Sequence, residues 1–397
     1  MNYTASKKAD EQIEKELKII KKIIIDELNP VSIILFGGFG RGEGSFEIVE
    51  RKVKILNDYD LYVVSNGKIP NCVLDKVGRK CSRAIGKGGG EFVEEFWKIY
   101  DKNRYFHVDL RGLRYSELGK LKRTNRTYEL KYGSRIIYGE DVRNRIREVE
   151  LPVSEAFRCL MIPACHLLLC MDERRLKGEF KGDEKFYLKH HIIKTYLAIA
   201  YSLNISAGRF QATYKKNVEE FKKIYGKRFP ELAEKVEEAL KFKLKGGEFK
   251  DIKKRWFSAR DDLTFTLSFL AEKHLSIKRK DIQGLVAELY KKLPYVYFTP
   301  YLPLPEFLAE LAFPAQYYLN ILYFKRTGYL KSLLKWRDIG LRIGLSAFLL
   351  LHAVDKNLTD ETYSYIKEFS PVKKKSWKDL RISLLYAFSK YFLQKLI

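Results

Sequence analysis

The chain has 397 residues, of which 46% are hydrophobic and 31% charged; this excludes a disordered polypeptide and is enough to bury the cores of two or three domains. The net charge is +25, from 75 Lys and Arg residues against 50 Asp and Glu, and the excess is spread along the chain. Such a charge is expected of a protein that binds a polyanion such as nucleic acid, and equally of one from a lysine-rich or thermophilic proteome.

The cysteines and the apolar runs indicate the compartment. The five cysteines are odd in number and lack C-x-x-C spacing, so we expect no disulfide framework and a reducing, cytoplasmic location. The segment from Met1 to Glu16 is polar and charged, unlike a signal peptide. The longest apolar runs, 160–171 and 339–354, are shorter than the roughly 20 residues of a membrane-spanning helix, so no transmembrane segment is expected.

The first predicted elements are a helix, a strand and a glycine-rich turn. Residues 6–28 carry Ile and Leu at spacings of three and four, which predicts an amphipathic helix, and an Asn-Pro pair ends it. The apolar run VSIILF at 31–36 predicts a strand, and Gly37 and Gly38 follow it directly. Because glycines lack side chains, their backbone N–H groups can approach an anion such as phosphate.

A second β-rich run, NDYDLYVV at 57–64, carries two carboxylates. Side chains alternate along a strand, so Asp58 and Asp60 project from the same face, about 6.6 Å apart. Two carboxylates on one face repel each other unless a cation lies between them, and a hard divalent cation such as Mg²⁺ prefers oxygen ligands. The turn and this strand therefore predict a site for a metal-bound polyphosphate.

Three short motifs carry a resemblance to a known family; they are Phe36-Gly37-Gly38, Arg41-Gly42-Glu43 and Asn57-Asp58-Tyr59-Asp60-Leu61. Over residues 30–140 the chain resembles the DNA polymerase β-like nucleotidyltransferase superfamily, in which a glycine-rich turn precedes a D-x-D strand. It departs from the pattern twice. Gly38 stands where Ser is common, which removes a hydroxyl contact to phosphate. The connection between the turn and the strand is long, which indicates an inserted loop at 45–55.

The resemblance implies a third carboxylate on a neighbouring strand. In the run YFHVDL at 105–110, Asp109 shares a predicted face with His107 and Arg111. Asp109 fits as a ligand of a second metal ion or as the base that activates an acceptor hydroxyl. An ordinary aspartate at the end of a strand is the alternative interpretation.

The resemblance also implies how the site residues share the substrate. Asp58, Asp60 and Asp109 would hold Mg²⁺ or Mn²⁺, as two ions, on a nucleoside triphosphate. The outer phosphates would be held by Gly37, Gly38 and Arg41. Acceptor attack at the α-phosphorus would then release pyrophosphate.

Two later segments each allow two interpretations. GKGGG at 86–90 could be a phosphate loop, but it lacks the GxxxxGK[ST] pattern and follows no strand, which favours a flexible connector. The segment 116–138 is strongly basic, with interleaved tyrosines, and is either a solvated helical face or a positively charged wall beside the nucleotide or its acceptor. The run IIYGE at 136–140 resembles the strand that closes many nucleotidyltransferase domains, which places a domain boundary near residue 150.

From residue 153 onward the pattern is almost wholly helical. Helices are predicted over 154–172, 184–204, 212–225, 230–243, 249–274, 279–292, 306–325, 329–354, 360–369 and 376–395. The proline-rich run at 295–305 predicts a second boundary near residue 300. The predicted domains are a nucleotidyltransferase domain at 1–150, a helical supporting domain at 151–300 and a C-terminal helical subdomain at 301–397.

Few side chains of the helical region stand out as functional candidates. Cys159, Cys165, His166 and Cys170 could be read as a zinc site, but they lie in an apolar helical stretch, which favours core packing. The region resembles the helical domain that follows many nucleotidyltransferase domains, where Lys and Tyr side chains can face the nucleotide. Lys194 and Tyr214 are the matching candidates, with a plain helix surface as the alternative for each.

These observations predict an α/β (α+β) nucleotidyltransferase domain with a small mixed sheet, followed by a large all-helical C-terminal region. The predicted enzyme transfers a nucleoside monophosphate from an NTP to an acceptor hydroxyl, with a small molecule, glycan or protein as the favoured acceptor. The alternatives are an RNA- or tRNA-directed nucleotidyltransferase and a non-catalytic nucleic-acid-binding module on the same fold. Three acids without a metal would destabilise a fold, which argues against the last of these.

Overall fold

A computed structural model describes residues 2–49, 52–88, 108–247, 249–279, 281–297, 320–321, 323–325, 327–333, 339–354 and 360–393. The described residues form two compact units. The first comprises those of Met1–Val93, Asp101–Leu151 and Phe210–Glu248, and the second those of Pro152–Arg209 and Phe249–Ile397. The three domains predicted with boundaries near 150 and 300 stay a prediction.

The N-terminal part of the first unit alternates helices and strands. In chain order its elements are α1 (Lys7–Leu28), β1 (Ser32–Leu35), α2 (Gly37–Arg41), β2 (Phe46–Val49), β3 (Lys52–Ile55), β4 (Tyr59–Ser65), α3 (Asn71–Ala84), β5 (Val108–Arg114), a 3₁₀ helix (Tyr115–Lys120), α4 (Asn125–Tyr132), β6 (Arg135–Gly139) and a 3₁₀ helix (Val142–Arg145).

The remaining helices are divided between the two units. The second unit holds α5 (Val153–Leu169), α6 (Glu173–Leu176) and α7 (Glu184–Ser206), and the chain then returns to the first unit for α8 (Tyr214–Tyr225) and α9 (Pro230–Lys245). The rest belongs to the second unit: α10 (Ile252–Leu275), α11 (Ile282–Tyr297), a 3₁₀ helix (Leu330–Leu333), α12 (Ile339–Ala353), α13 (Asp360–Lys367) and α14 (Trp377–Phe388) with a π turn (Ser389–Leu393).

The first unit is built on a four-stranded mixed sheet with the strand order β5-β4-β1-β6. β4 pairs with β5 in parallel, and β1 pairs with both β4 and β6 in antiparallel fashion. The apolar residues of β1 and β4 alternate between two cores, one on each face. Ile33, Leu35 and Leu61 belong to the core that α1 and α3 cover, and Ile34 and Tyr62 belong to the other.

Helix α1 matches the helix predicted over 6–28. Its Ile13, Leu17, Ile20 and Ile24 are buried against the sheet, because the three- and four-residue spacing puts them on one face. The helix ends at Asn29, which adopts the left-handed conformation.

The predicted fold class is confirmed: a small mixed sheet with flanking helices precedes a large helical region. One local prediction was wrong and another was confirmed only in part. The inserted loop at 45–55 contains a two-stranded antiparallel sheet, β2 and β3, because its β-branched and aromatic residues pair across the connection. Of the helix predicted over 329–354, Ile339–Ala353 form α12, Leu330–Leu333 form a 3₁₀ helix, and residues 334–338 lie outside the described residues.

Other predictions concern the periphery and the second unit. His107, the end of the GKGGG segment and the proline-rich run at 298–305 lie outside the described residues. Cys165 of α5 and Cys170, the residue that follows this helix, are buried. Across the described residues, no helix is both long and apolar enough to span a membrane.

Candidate active site

Two of the predicted carboxylates lie next to each other on adjacent strands. Asp60 of β4 is the direct partner of Asp109 of the parallel strand β5, and both are half-buried. Neighbouring strands lie about 4.8 Å apart, and paired residues project from the same face. Asp58 directly precedes β4 and is also half-buried. Negative charge is therefore concentrated on one face of the sheet, at the start of β4.

The glycine turn lies against this carboxylate pair. Gly37 begins α2 with φ +66°, and a Cβ added to it would lie 2.2 Å from Asp60 Oδ2. The preceding Phe36 N–H donates to the main-chain oxygen of Asp60 at 2.9 Å, which fixes the end of β1 against β4. Both the backbone conformation and the missing side chain are therefore required at Gly37.

Gly38 has a different neighbour. A Cβ at this position would lie 3.2 Å from Nδ2 of Asn57, the residue before Asp58. Its φ is not positive, so the conformation itself does not require glycine. Gly37 therefore lies against the Asp60 carboxylate, and Gly38 lies against the Asn57 amide.

Arg41, predicted to contact phosphate, is buried in an ion-pair network. Its Nη1 donates to Glu129 at 2.9 Å, its Nε lies 3.4 Å from Glu43, and its guanidinium lies 4.5 Å from the ring centroid of Tyr214. Its side chain is 6% exposed. A role of Arg41 in phosphate binding stays a prediction, and these contacts give it a second role in holding Tyr214.

Glu43 is a residue whose role the sequence did not show. Its two carboxylate oxygens accept from the backbone N–H groups of Tyr214 and Lys215, each at 2.8 Å, at the start of α8. A carboxylate there satisfies orphan N–H groups and complements the helix dipole. The sequence showed Glu43 only as part of the motif Arg41-Gly42-Glu43, because its partners lie 171 and 172 residues away.

Tyr214 therefore belongs to the same unit as the carboxylates. Burial raises the pKa of its hydroxyl; the Arg41 guanidinium opposes that shift, while Glu129, Glu43 and Asp60 add to it. The hydroxyl is accordingly neutral at physiological pH and can donate a hydrogen bond.

Lys194 belongs to the second unit, in α7. Burial and, to a lesser extent, the Lys194 ammonium together lower the pKa of His166 to about 3. The pKa of the neighbouring His191 is also lowered, by burial, by His166 and by Lys194. Lys194 is thus part of a cluster with two neutral histidines, and its role in nucleotide binding stays a prediction.

One arginine contacts a carboxylate of the site, and a second lies against the ring of Phe36. Arg111, paired with Tyr62 across β4 and β5, donates from Nε to Asp109 Oδ2 at 2.9 Å, with Nη2 also 2.9 Å from that oxygen. The exposed Arg126 of α4 holds its guanidinium 5.7 Å from the Phe36 ring centroid. Burial raises the pKa of the Tyr62 hydroxyl, and both guanidinium groups oppose that shift. The site therefore combines carboxylates with cations.

The donor set fits a magnesium ion that shares its ligands with a substrate. Within the described part of the chain, no three His, Cys, Asp or Glu side chains are arranged to hold a metal by themselves. Mg²⁺ is commonly held by one or two carboxylates, with phosphate oxygens and waters as the other ligands. Asp58 and Asp60 would supply such a pair, whereas Arg111 engages one oxygen of Asp109.

Comparison with known proteins adds little to this geometry. No family model matches the chain, and no curated protein matches it. A solved structure of a spectinomycin adenyltransferase from Enterococcus faecialis, determined with ATP and spectinomycin, is similar to 64% of this chain and 98% of its own, at 14% identity and a TM-score of 0.35. That protein is a nucleotidyltransferase. A TM-score of this size does not establish a shared fold, so the similarity carries no argument for this chain.

Proposed function

We propose that the chain is a metal-dependent nucleotidyltransferase that transfers a nucleoside monophosphate from an NTP to an acceptor hydroxyl and releases pyrophosphate. One observation carries the proposal: Asp60 and Asp109 are paired on adjacent parallel strands, and the backbone of Gly37 lies where any side chain would strike Asp60. A carboxylate pair beside a bare backbone turn suits a metal-bound triphosphate, because the turn can donate N–H groups to phosphate oxygens.

Each candidate site residue has a role that follows from its position. Asp58 and Asp60 would hold Mg²⁺ or Mn²⁺, which neutralises charge on the triphosphate and on the departing pyrophosphate. Gly37 and Gly38 present backbone to the phosphates. Asp109 accepts the proton of the acceptor hydroxyl while that oxygen forms a bond to the α-phosphorus. The bond from the α-phosphorus to the bridging oxygen breaks, and pyrophosphate leaves with its electron pair.

The favoured acceptor is a small molecule, a glycan or a protein side chain. Asp109 is the carboxylate nearest to Arg111, so its charge is balanced by a neighbouring guanidinium. We place the acceptor on the β5 side of Asp60, since the turn with Gly37 occupies the β1 side. An RNA end as acceptor is the alternative.

The test is transfer of label from each of the four α-labelled nucleoside triphosphates in the presence of Mg²⁺. The purified protein is incubated with and without cell extract as a source of acceptors, and Asp60→Asn serves as the matched control for transferases in the extract. We expect label transfer by the wild type that chelator abolishes and that Asp60→Asn lacks. Thermal unfolding should show Asp60→Asn as stable as the wild type or more so, because one of two repelling charges is removed. The proposal would be refuted if the wild type transferred no more label than Asp60→Asn, or if its transfer above the Asp60→Asn level persisted in chelator.

A further inference from the structure

A buried tyrosine shares the face of the sheet that carries the carboxylates. Tyr62 of β4 lies two residues beyond Asp60, so its side chain projects from the same face, about 6.6 Å further along the strand. Tyr62 is 7% exposed, and among the residues that the structure describes its hydroxyl makes no hydrogen bond. Buried polar groups are nearly always hydrogen-bonded, because a buried donor without a partner is costly. The Tyr62 hydroxyl is therefore a donor that a ligand at this face can use.

Arg111 lies beside Tyr62 on the neighbouring strand. The two residues are register partners of β4 and β5, just as Asp60 and Asp109 are two positions earlier. The Arg111 guanidinium is engaged by one oxygen of Asp109, which lies 2.9 Å from both Nε and Nη2. The charge of Arg111 is therefore balanced within the protein, and its contacts hold the Asp109 carboxylate in place.

Arg126 of α4 is connected to Tyr62 through the ring of Phe36. Its guanidinium lies 5.7 Å from the centroid of the Phe36 ring, which packs edge-on against the Tyr62 ring with 5.5 Å between the centroids. The Phe36 N–H in turn donates to the main-chain oxygen of Asp60 at 2.9 Å. Arg126 is exposed, and within the described part of the chain it pairs with no carboxylate. Its charge, unlike that of Arg111, can therefore be balanced by a bound anion.

We propose that Arg126 and Tyr62 bind an anionic group of the acceptor, so that the acceptor is a small hydroxyl compound that carries a phosphate or a carboxylate. This inference rests on the proposed function and names the class of its acceptor. An arginine presents N–H donors in a planar fork that fits either anion, and a tyrosine hydroxyl adds one more donor. One unbalanced cation beside the carboxylates matches one anionic group, which favours a small anion over a polyanion.

The position of Tyr62 determines how the acceptor lies. Its reacting hydroxyl meets Asp109, while its anionic group lies one residue pair further along the same face of β4 and β5, at Tyr62. Several bonds therefore separate the two groups, as in a phosphorylated sugar. Burial raises the pKa of the Tyr62 hydroxyl, which keeps its proton and donates a hydrogen bond. Arg126 and Tyr62 transfer no proton; they position the acceptor while Asp109 accepts the proton of its hydroxyl.

The first experiment determines the charge of the acceptor. The ultrafiltrate of a cell extract supplies the acceptor, and label transfer from the triphosphate measures it. We expect acceptor activity to be retained by an anion-exchange resin at neutral pH, to elute with salt and to survive nuclease treatment. The inference is overturned if the acceptor activity passes through the resin, is removed by nuclease or is confined to the macromolecular fraction.

Variants then test the two binding residues. Arg126→Gln should raise the KM for the acceptor, measured by dilution of the ultrafiltrate, about 10- to 100-fold, because a hydrogen bond to a charged group is lost. Tyr62→Phe keeps the ring that packs on Phe36 and should raise the same KM about 10-fold. Arg126→Lys keeps a cation and should recover part of the loss. Arg123→Gln removes an exposed charge of the same basic segment and should behave as the wild type does.

Inorganic phosphate and acetate are the direct probes of the anion site. At least one of them should inhibit wild-type transfer in competition with the acceptor and not with the triphosphate, and the more potent of the two identifies the anionic group. Inhibition of Arg126→Gln should require at least about tenfold more of that anion. Inhibition by neither anion, or inhibition that Arg126→Gln leaves unchanged, overturns the inference.

The failure of the inference and that of the proposed function are distinguishable. If Arg126→Gln leaves the KM for the acceptor unchanged, or raises the KM values for acceptor and triphosphate equally, the inference fails although the enzyme transfers label. Loss of the folded state in both Arg126→Gln and Arg126→Lys, measured by thermal unfolding, also overturns it by showing a structural arginine. A wild type that transfers no label from any triphosphate refutes the proposed function and the inference together.

Discussion

The close approach of Gly37 to Asp60 gives the most direct test of the site. In Gly37→Ala the new Cβ would lie 2.2 Å from Asp60 Oδ2, a distance that real Cβ atoms do not adopt, so the carboxylate must move. Ordinary contact requires a retreat of about 1 Å, and a displacement of that size in a reacting group can lower a rate about 10²-fold. We therefore expect Gly37→Ala to lose at least about 99% of the transfer activity.

The same substitution also strains the backbone, and the strain must be separated from the displacement. Gly37 has φ +66°, where an alanine costs about 1–2 kcal/mol relative to glycine. Gly208 has φ +68° with no atom near its added Cβ, so Gly208→Ala should show the strain alone. Gly38→Ala adds a methyl to the same turn at 3.2 Å from Asn57 without a positive φ, and it should retain more activity than Gly37→Ala.

The assay combines label transfer with thermal unfolding of all three variants. We expect Gly37→Ala and Gly208→Ala to be destabilised to a similar extent and only Gly37→Ala to lose activity. A fully active Gly37→Ala would show that the Asp60 carboxylate is not a ligand in catalysis. Equal activity losses in Gly37→Ala and Gly208→Ala would show that the effect is one of stability.

Three other predictions address the base, the second unit and the charge. Asp109→Asn should reduce turnover far more than triphosphate affinity, measured by single-turnover transfer and by titration; equal losses would make Asp109 structural. Because the pKa of His166 is lowered in the folded state, its contribution to the free energy of unfolding is complete at neutral pH and is lost as pH falls below about 6.5, by up to about 1.4 kcal/mol per pH unit. The free energy of unfolding of His166→Phe should therefore depend less on pH between 7 and 5 than that of the wild type. An unchanged pH dependence would contradict this. We expect no submicromolar binding of RNA at physiological salt, measured by filter binding at two salt concentrations. The RNA acceptor would be favoured if such binding were found, weakened steeply with salt and was lost when Lys122, Arg123 and Arg126 were changed together to Ala.

The sequence predicted the parts of the fold that depend on local patterns. The spacing of Ile13, Leu17 and Ile20 predicted α1, and the apolar run before Gly37 predicted β1, because a buried element needs a continuous apolar face. The inserted segment was predicted as a loop and contains β2 and β3. Its lysines and glutamate interrupt the alternation of apolar and polar residues by which a strand is predicted. The two strands can be recognised only from the pairing of Phe46 with Ile55 in the structure.

The site could be predicted only where its residues are close in sequence. The D-x-D spacing predicted two carboxylates on one face, which stays a prediction because Asp58 lies just before β4, and a third acid on a β-rich run was predicted to lie near them. The partner of Asp60 follows from strand order and register, which put Asp109 directly opposite. The contacts of Glu43 with residues 171 and 172 positions away left no local signal, since a helix cap is defined by its partner and not by sequence spacing.

The glycine-rich segment is held at both ends, and its last contacts connect it to the start of α8. Its start is fixed by the Phe36 N–H bonded to the Asp60 main chain, and its end by the Glu43 N–H bonded to the Gly38 carbonyl at 2.8 Å. The Glu43 carboxylate then caps α8 while its backbone closes the turn. A shift of the turn therefore disturbs both the carboxylate site and the start of α8, so the helix that carries Tyr214 is part of the site's framework.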